Sequence, residues 1–325
     1  MTHRALDLLD AVRAACAQVA ARARHVHIDY AALPAYAASL PLERAVCPAH
    51  DPATHYLGHG ADTVAFFLTL DAINFGSGYF PHLRKRPGLS GYFTIAASLK
   101  DHFRTHGPFS AAELVALQAD ALQHLFGQER LNGPVSELMQ LFARALNELG
   151  RYLMDRFEGS YTALVEAADH SAERLVRLLT AMPYYDDVED YGGLRVPFFK
   201  RAQLTAADLA LAFGNEGWGR FSDLDRLTLF ADNLVPHVLR IDGILTYEPA
   251  LAMRIDGEEL IAAGSPEEVE IRACAVHAVE CIAAELRGRG QRLTAHQLDY
   301  LLWNRGQEPF YKKVKPRHRT RTVYY

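Results

Sequence analysis

The sequence lacks the features that mark several large classes of protein. Among its 325 residues are only four cysteines, too few and too scattered for a disulfide framework, which fits a reducing compartment. No apolar run approaches the roughly 20 residues that a membrane-spanning helix needs. Asp7 and Asp10 interrupt the N-terminal segment where the apolar core of a signal peptide would lie. We therefore expect a soluble, cytoplasmic protein that has no membrane partner.

An excess of positive charge is also missing. Lys and Arg number 34 against 39 Asp and Glu, so the formal net charge is −5. Such a field does not attract a nucleic-acid duplex, and we expect no stable nucleic-acid partner. The patterns GxGxxG, Walker A and GxSxG are absent as well, which removes the usual signatures of dinucleotide binding, P-loop chemistry and nucleophile-elbow hydrolases. No cofactor is expected.

Two groups of cysteines and histidines are the only candidates for a metal site. They are Cys47 with His50, His55 and His59, and Cys274 with His277 and Cys281. The first group has irregular spacing and no second pair of ligands. The second lies on a helix face with apolar neighbours, where cysteine acts as a small core residue. We expect no bound metal.

What is present is a strong helical pattern in a chain that is half hydrophobic. Apolar residues recur every three or four positions over 134–157 and over 161–179, which predicts two long helices. The motif Ser265-Pro266-Glu267-Glu268 predicts a capped helix start, with the helix reaching Arg287. We predict a mainly α fold with at most a few short strands. Residues 1–325 should form one compact unit, with a possible division into 1–133 and 134–325.

Asp232 is the leading catalytic candidate. It follows the apolar run of residues 228–231 and precedes Asn233 and Pro236. A carboxylate at the end of a rigid apolar segment is costly to desolvate unless a cation lies opposite, and such perturbed groups cluster at functional sites. The same position also suits an aspartate that caps the following helix. Both interpretations stay open at this point.

Lys200 and Arg201 form the best anion site in the sequence. They follow Phe198-Phe199, so the cations should be partly buried and should need a negative partner. A salt bridge to Asp186, Asp187 or Glu189 explains them equally well. Upstream, an apolar run gives way abruptly to polar side chains at 71 and 74, a pattern typical of an element that ends at a pocket.

Six segments, in the same order along the chain, together resemble the queuosine salvage protein family. They are DAINF (71–75), FKRAQ (199–203), LFADNLVP (229–236), VEIRA (269–273), LDYLLW (298–303) and HRTRTVYY (318–325). The resemblance implies a fold similar to helix-hairpin-helix DNA glycosylases with extra helices. The sequence departs from the family pattern at His237, where a glutamine is expected, and at Gly76-Ser77-Gly78, which replaces a bulkier aromatic stretch.

The resemblance implies hydrolysis of queuosine 5′-monophosphate to queuine and ribose 5-phosphate. Asp232 would activate water or stabilise the positive charge that develops on the sugar. The base-binding residues would be Asp71, Asn74, Phe75, Trp218 and Asn233. The residues for phosphate and ribose would be Lys200, Arg201, Gln203, Arg319, Arg321 and Tyr325.

Two other functions remain in competition with this one. A DNA-base glycosylase is a weaker hypothesis because the net charge is negative. A non-catalytic protein that binds a 7-deazaguanine base would need the same recognition residues without the chemistry.

Overall fold

The computed structural model describes residues 7–45, 48–129 and 133–325, and these ranges contain fifteen α-helices and four short β-strands. The predicted mainly α fold class is therefore confirmed. The likeness to helix-hairpin-helix DNA glycosylases stays a prediction. None of the helices in the described ranges is long and apolar enough to cross a membrane.

The chain folds as two compact units. The first comprises the described part of Met1–Pro48 together with Asp187–Lys200 and Asp225–Arg321. The second comprises Ala49–Asp186 within the described ranges, Arg201–Leu224 and Thr322–Tyr325. One compact unit with a possible division at residue 133 stays a prediction.

The first unit is built around helix α13. Its helices are α1 Leu8–Ala20, α2 Leu33–Ser39, α11 Val235–Ile241, α12 Pro249–Asp256, α13 Pro266–Gly288, α14 Ala295–Gly306 and α15 Pro309–Lys313. Ser265 accepts a hydrogen bond from the Glu268 N–H, so the predicted start and length of α13 are confirmed. Helices α1, α2 and α14 pack against α13, and its buried face carries the charged side chains of Glu268, Glu270 and Arg272 as well as apolar ones.

Two antiparallel strand pairs complete this unit. Strand β1 (Val26–Ile28) pairs with β4 (Leu245–Tyr247), and β2 (Val188–Tyr191) pairs with β3 (Leu194–Pro197). The β2–β3 hairpin turns at Gly192 and Gly193, whose φ angles of 59° and 83° are costly for other residues. The hairpin leads directly to Lys200.

The second unit is a helical assembly around the long helix α7. Its helices are α3 Ala61–Ala72, α4 Gly91–His106, α5 Ala111–Ala116, α6 Ala119–Leu125, α7 Gly133–Phe157, α8 Tyr161–Glu166, α9 Ala172–Leu179 and α10 Lys200–Ala212, of which Lys200 itself belongs to the first unit. The prediction for 134–157 is confirmed. Gly150 lets α5 approach α7 closely, because a Cβ there would lie 2.6 Å from the Ala111 carbonyl oxygen.

The single helix predicted over 161–179 was wrong. The structure has two shorter helices, α8 and α9, separated at Asp169 and His170, which both have positive φ angles, 49° and 59°. A new helix begins at Ser171, whose side chain caps α9, and Asp223 accepts hydrogen bonds from the same helix start. Distant residues therefore override the continuous apolar pattern.

Candidate active site

Asp232 lies at the end of a fully buried segment, three residues before helix α11 begins at Val235. Residues 228–231 are at most 3% exposed, whereas Asp232 is half-buried. Its Oδ1 atom accepts hydrogen bonds from the main-chain N–H groups of Leu234, at 2.7 Å, and Val235, at 3.2 Å. Oδ1 thus holds the turn that leads into α11, although the N-cap position of that helix is Leu234 and not Asp232. No described residue donates a hydrogen bond to Oδ2, so this oxygen can face a ligand.

Asp299, on α14, is a second carboxyl group beside Asp232. It is 5% exposed, and its Oδ1 atom accepts a hydrogen bond of 3.1 Å from the Phe230 N–H. Burial, and then the charge of Asp232, raise the pKa of Asp299 well above its usual range, while the Phe230 N–H and Lys200 act in the opposite direction. Its position within the apolar segment LDYLLW was the only sequence signal, and Asp299 was not among the predicted site residues.

Two cations belong to the same cluster of the first unit. Lys200 is 6% exposed and begins α10, and its charge acts to lower the pKa of Asp299 against the effect of burial. Arg317 is attracted to Asp232. The cluster thus combines one carboxyl group that can face a developing cation with cations that can hold an anionic group.

The other predicted residues of the first unit lie around this cluster or in the C-terminal segment. Asn233 is buried, and its Nδ2 atom donates to the His318 carbonyl oxygen at 3.2 Å. Arg319 donates from its guanidinium to the Glu258 carbonyl oxygen, and its own carbonyl accepts the Ile261 N–H at 2.8 Å. Arg321 is half-buried. The tail from 318 onward is thus docked by main-chain hydrogen bonds.

In the second unit, Asp71, Asn74 and Phe75 follow one another at the C-terminal end of α3. Asp71 is 0% exposed, Asn74 is half-buried, and Phe75 packs edge-to-face on Phe142 with ring centres 5.1 Å apart. The backbone then turns at Gly76. A Cβ at Gly76 would lie 2.6 Å from a methyl group of Leu138, and its φ is +103°, so glycine is required here.

Tyr325 docks at the same turn. The Gly76 N–H donates to the Tyr325 main-chain oxygen at 3.0 Å, and Tyr325 is 3% exposed. The departure from the family pattern at residues 76–78 therefore coincides with the place that receives the last residue of the tail.

Arg201 binds the carbonyl oxygens at the C-terminal end of α3. Its Nη1 atom donates to the carbonyl oxygens of Asp71 and Ala72, at 3.1 and 2.7 Å, and its Nη2 atom donates to the Tyr184 carbonyl oxygen. The guanidinium carbon lies 5.0 Å from the centre of the Phe75 ring. Carbonyls at a helix C-terminus carry partial negative charge, so a buried cation is stabilised there.

Gln203 and Trp218 are the remaining predicted residues of the second unit. Gln203 is 0% exposed. Trp218 is half-buried, donates from its indole nitrogen to a carboxylate oxygen of Glu166 at 2.9 Å, and lies edge-on to Phe213. These contacts do not link Trp218 to the turn after α3.

The histidines and cysteines that could have formed a metal site have other contacts. His50 and His55 stack near Phe67, and Cys47 lies outside the described residues. Cys274 is buried. No group of three or more potential ligands in the described ranges has an arrangement that could hold a metal ion.

Comparisons with known proteins agree with one another. A family model described as "Queuosine salvage protein" matches residues 54–325. A protein of Sphaerobacter thermophilus, named queuosine 5′-phosphate N-glycosylase/hydrolase, is 38% identical over 95% of this chain and 95% of its own. Proteins with the same name from Dictyostelium discoideum and Bos taurus are each 33% identical, over 81% and 73% of this chain and 78% and 72% of their own.

Proposed function

The chain belongs to the queuosine salvage protein family, and from that premise we propose that it hydrolyses the N-glycosidic bond of queuosine 5′-monophosphate. The products are the base queuine and ribose 5-phosphate. The observation that best supports this chemistry is Asp232, a half-buried carboxylate that is oriented through Oδ1 and has no hydrogen-bond donor on Oδ2 among the described residues.

Cleavage of an N-glycosidic bond builds positive charge on the sugar. Asp232 Oδ2 faces the anomeric carbon and either stabilises that charge or activates the attacking water. At an effective dielectric near 20, a charge pair about 4 Å apart gains roughly 4 kcal/mol, which is about a thousandfold in rate. Because the main-chain donors already fix Oδ1, the carboxylate needs no reorganisation during the reaction.

Asp299 acts beside Asp232 as the group that keeps its proton. Two carboxyl groups in one cluster do not both ionise readily, and burial favours the neutral form of Asp299. Its proximity to Lys200 links the carboxyl pair to the residue that we assign to the 5′-phosphate. Lys200 suits that role because its ammonium group is a compact point charge with three donors, the kind of group that binds phosphate oxygens.

Recognition of the base is assigned to Asp71, Asn74, Phe75, Trp218 and Asn233. Carboxylate and amide groups match the donors and acceptors of a guanine-like edge. Within this set, the rigid turn after α3 fixes the first three, and Arg201 contributes by holding their backbone.

The remaining phosphate and ribose contacts are assigned to Arg201, Gln203, Arg319, Arg321 and Tyr325. Three of these residues hold parts of the fold through hydrogen bonds: the Arg201 guanidinium donates to carbonyl oxygens, the Arg319 guanidinium donates to the Glu258 carbonyl oxygen, and the Tyr325 main-chain oxygen accepts from the Gly76 N–H. We therefore propose that these three mainly shape the site.

The test is to incubate the protein with queuosine 5′-monophosphate and quantify queuine and ribose 5-phosphate by chromatography. The Asn side chain offers the same Oδ1 acceptor as Asp, so Asp232→Asn keeps the hydrogen bonds from Leu234 and Val235 and removes the charge. We expect kcat to fall about a thousandfold at unchanged melting temperature. A wild-type rate in Asp232→Asn would overturn the assignment of Asp232.

Asp223→Asn is the matched control, because Asp223 also accepts hydrogen bonds at a helix start, that of α9. It should leave kcat within twofold. If the wild-type protein binds queuine tightly but releases no ribose 5-phosphate, the non-catalytic hypothesis replaces this one. Salt-sensitive binding to damaged duplex DNA would favour a DNA-base glycosylase.

A further inference from the structure

Arg272, on α13, has its guanidinium at the centre of the first unit and donates in two directions. The side chain is 0% exposed. Its Nη1 and Nη2 atoms donate to the two carboxylate oxygens of Asp187, at 2.9 and 2.6 Å. Its Nε atom donates to the Ala231 carbonyl oxygen at 3.1 Å. Since Ala231 directly precedes Asp232, the hydrogen bond from Arg272 Nε to the Ala231 carbonyl oxygen fixes the backbone beside the proposed catalytic residue.

Asp187 extends the connection to the segment that contains Lys200. Its Oδ2 atom accepts the main-chain N–H of Lys200 at 3.1 Å, and its own carbonyl accepts the Phe198 N–H at 2.9 Å. A continuous chain of hydrogen bonds therefore runs from the Ala231 carbonyl through Arg272 and Asp187 to the Lys200 amide. The two ends belong to segments that are 31 residues apart in sequence.

The Phe198 ring and the Glu268 carboxylate restrict the orientation of the Arg272 guanidinium. Its carbon lies 3.9 Å from the centre of the Phe198 ring, and its Nε atom lies 3.7 Å from Glu268 Oε1. A bidentate pair with a carboxylate depends on the planar fork of arginine, which a lysine ammonium lacks. Because the group is fully buried, turning away from Asp187 would strand charges out of water.

We propose that Arg272, acting through Asp187, is a positioning residue that sets the placement of Asp232 relative to Lys200. The inference rests on the proposed function, because it assigns the reaction to those two side chains. Misplacement of a reacting group by about 1 Å can cost on the order of a hundredfold in rate. Lysine keeps the positive charge of arginine but lacks its planar fork of donors, so Arg272→Lys separates the geometry of the contact from its charge.

In Arg272→Lys, kcat for release of queuine falls 10- to 100-fold, on the order set by the cost of misplacement, while KM changes less than about fivefold. Hydrogen exchange is measured in the same proteins, and the amides of segment 228–235 exchange faster than in the wild type. If Arg272→Lys does not fold, the double variant Asp187→Leu with Arg272→Met removes both charges of the pair and should show the same fall in kcat.

Glu270→Gln is the matched control on the same helix. Glu270 is also 0% exposed and accepts three main-chain N–H groups from residues 24–26 and the Tyr191 hydroxyl, contacts that include none of Asp187, Lys200 and Ala231. Each protein is assayed at the same interval below its own melting temperature. Glu270→Gln should keep kcat within threefold and leave exchange in 228–235 unchanged.

Two results would overturn the proposal. One is a kcat within twofold of wild type in Arg272→Lys, and the other is an equal fall in Glu270→Gln, which would show a purely structural effect. A wild-type protein that releases no queuine would instead remove the proposed function. In that case hydrogen exchange alone decides the inference: faster exchange of 228–235 in Arg272→Lys supports it, and unchanged exchange overturns it.

Discussion

Each of the two units contains a fully buried arginine, and the two are held by different kinds of acceptor. Arg272 of the first unit donates to both oxygens of Asp187 and to one main-chain carbonyl. Arg201 of the second unit donates to three main-chain carbonyls and lies over the rings of Phe75 and Tyr185. One contact joins two full charges, whereas the other joins a charge to dipoles.

The difference bears on what each arginine can do. Asp187, the carboxylate partner of Arg272, also accepts the Lys200 N–H. Arg272 therefore connects two segments, one with the proposed catalytic residue and the other with the proposed phosphate-binding residue. The carbonyl partners of Arg201 lie at the end of α3 and in the segment at Tyr184, so this side chain fixes the local shape of one turn. Substitution should therefore have different costs in the two places.

The largest effect on stability is expected for Arg272→Met. The substitution keeps most of the volume but leaves the Asp187 and Glu268 carboxylates buried without their cation. Breaking a buried pair in this way costs about 3–5 kcal/mol in the free energy of unfolding, which urea denaturation measures. A loss below about 1 kcal/mol would mean that the pair contributes little. The double variant with Asp187→Leu should recover part of the loss.

A smaller loss is expected for Arg201→Met. The carbonyl oxygens that accept from Arg201 are neutral, and an unsatisfied hydrogen-bonding group costs about 1–3 kcal/mol. Urea denaturation of Arg201→Met beside Arg272→Met compares the two costs directly. Because the turn after α3 carries Asp71 and Asn74, we also expect a higher KM for queuosine 5′-monophosphate. An equal or larger loss than in Arg272→Met would break the comparison between the two arginines.

The two arginines also show how far the sequence reaches. Lys200 and Arg201 were expected to be partly buried, and both are at most 6% exposed, but their separate partners depend on the folded chain. Arg272 appeared only within a matched segment. Its partner Asp187 is 85 residues away, and no local pattern announces a contact over that distance.

Local signals gave correct predictions where the interactions themselves are local. The start of α13 depends on Ser265 and its own first turn, and it was predicted correctly. The break between α8 and α9 depends on Asp223, about 50 residues away, and was missed. Asp299 was missed for the same reason, because its proximity to Asp232 arises only when α14 packs beside the segment of Phe230.

The smallest predicted effect concerns Glu189, in the carboxylate-rich surroundings of Arg272. Burial, and then the charge of Glu268, raise the pKa of Glu189 to about 7. The neutral form is therefore favoured in the folded protein, and its stabilising contribution is present below about pH 4.5 and lost as pH rises through 7. The shift corresponds to roughly 3 kcal/mol unscreened, and partial exposure reduces it to about 1 kcal/mol.

Glu189→Gln keeps a neutral side chain at every pH. At pH 8 its melting temperature should exceed that of the wild type by about 1–2 °C, and the difference should vanish near pH 4. The control is Glu259→Gln, which makes the same substitution at a side chain that is 63% exposed. If the melting temperature of Glu189→Gln differs from that of the wild type by the same amount at every pH, titration of Glu189 is not the cause. The carboxylates around Arg272 would then add no pH dependence that the neutral carbonyls around Arg201 lack.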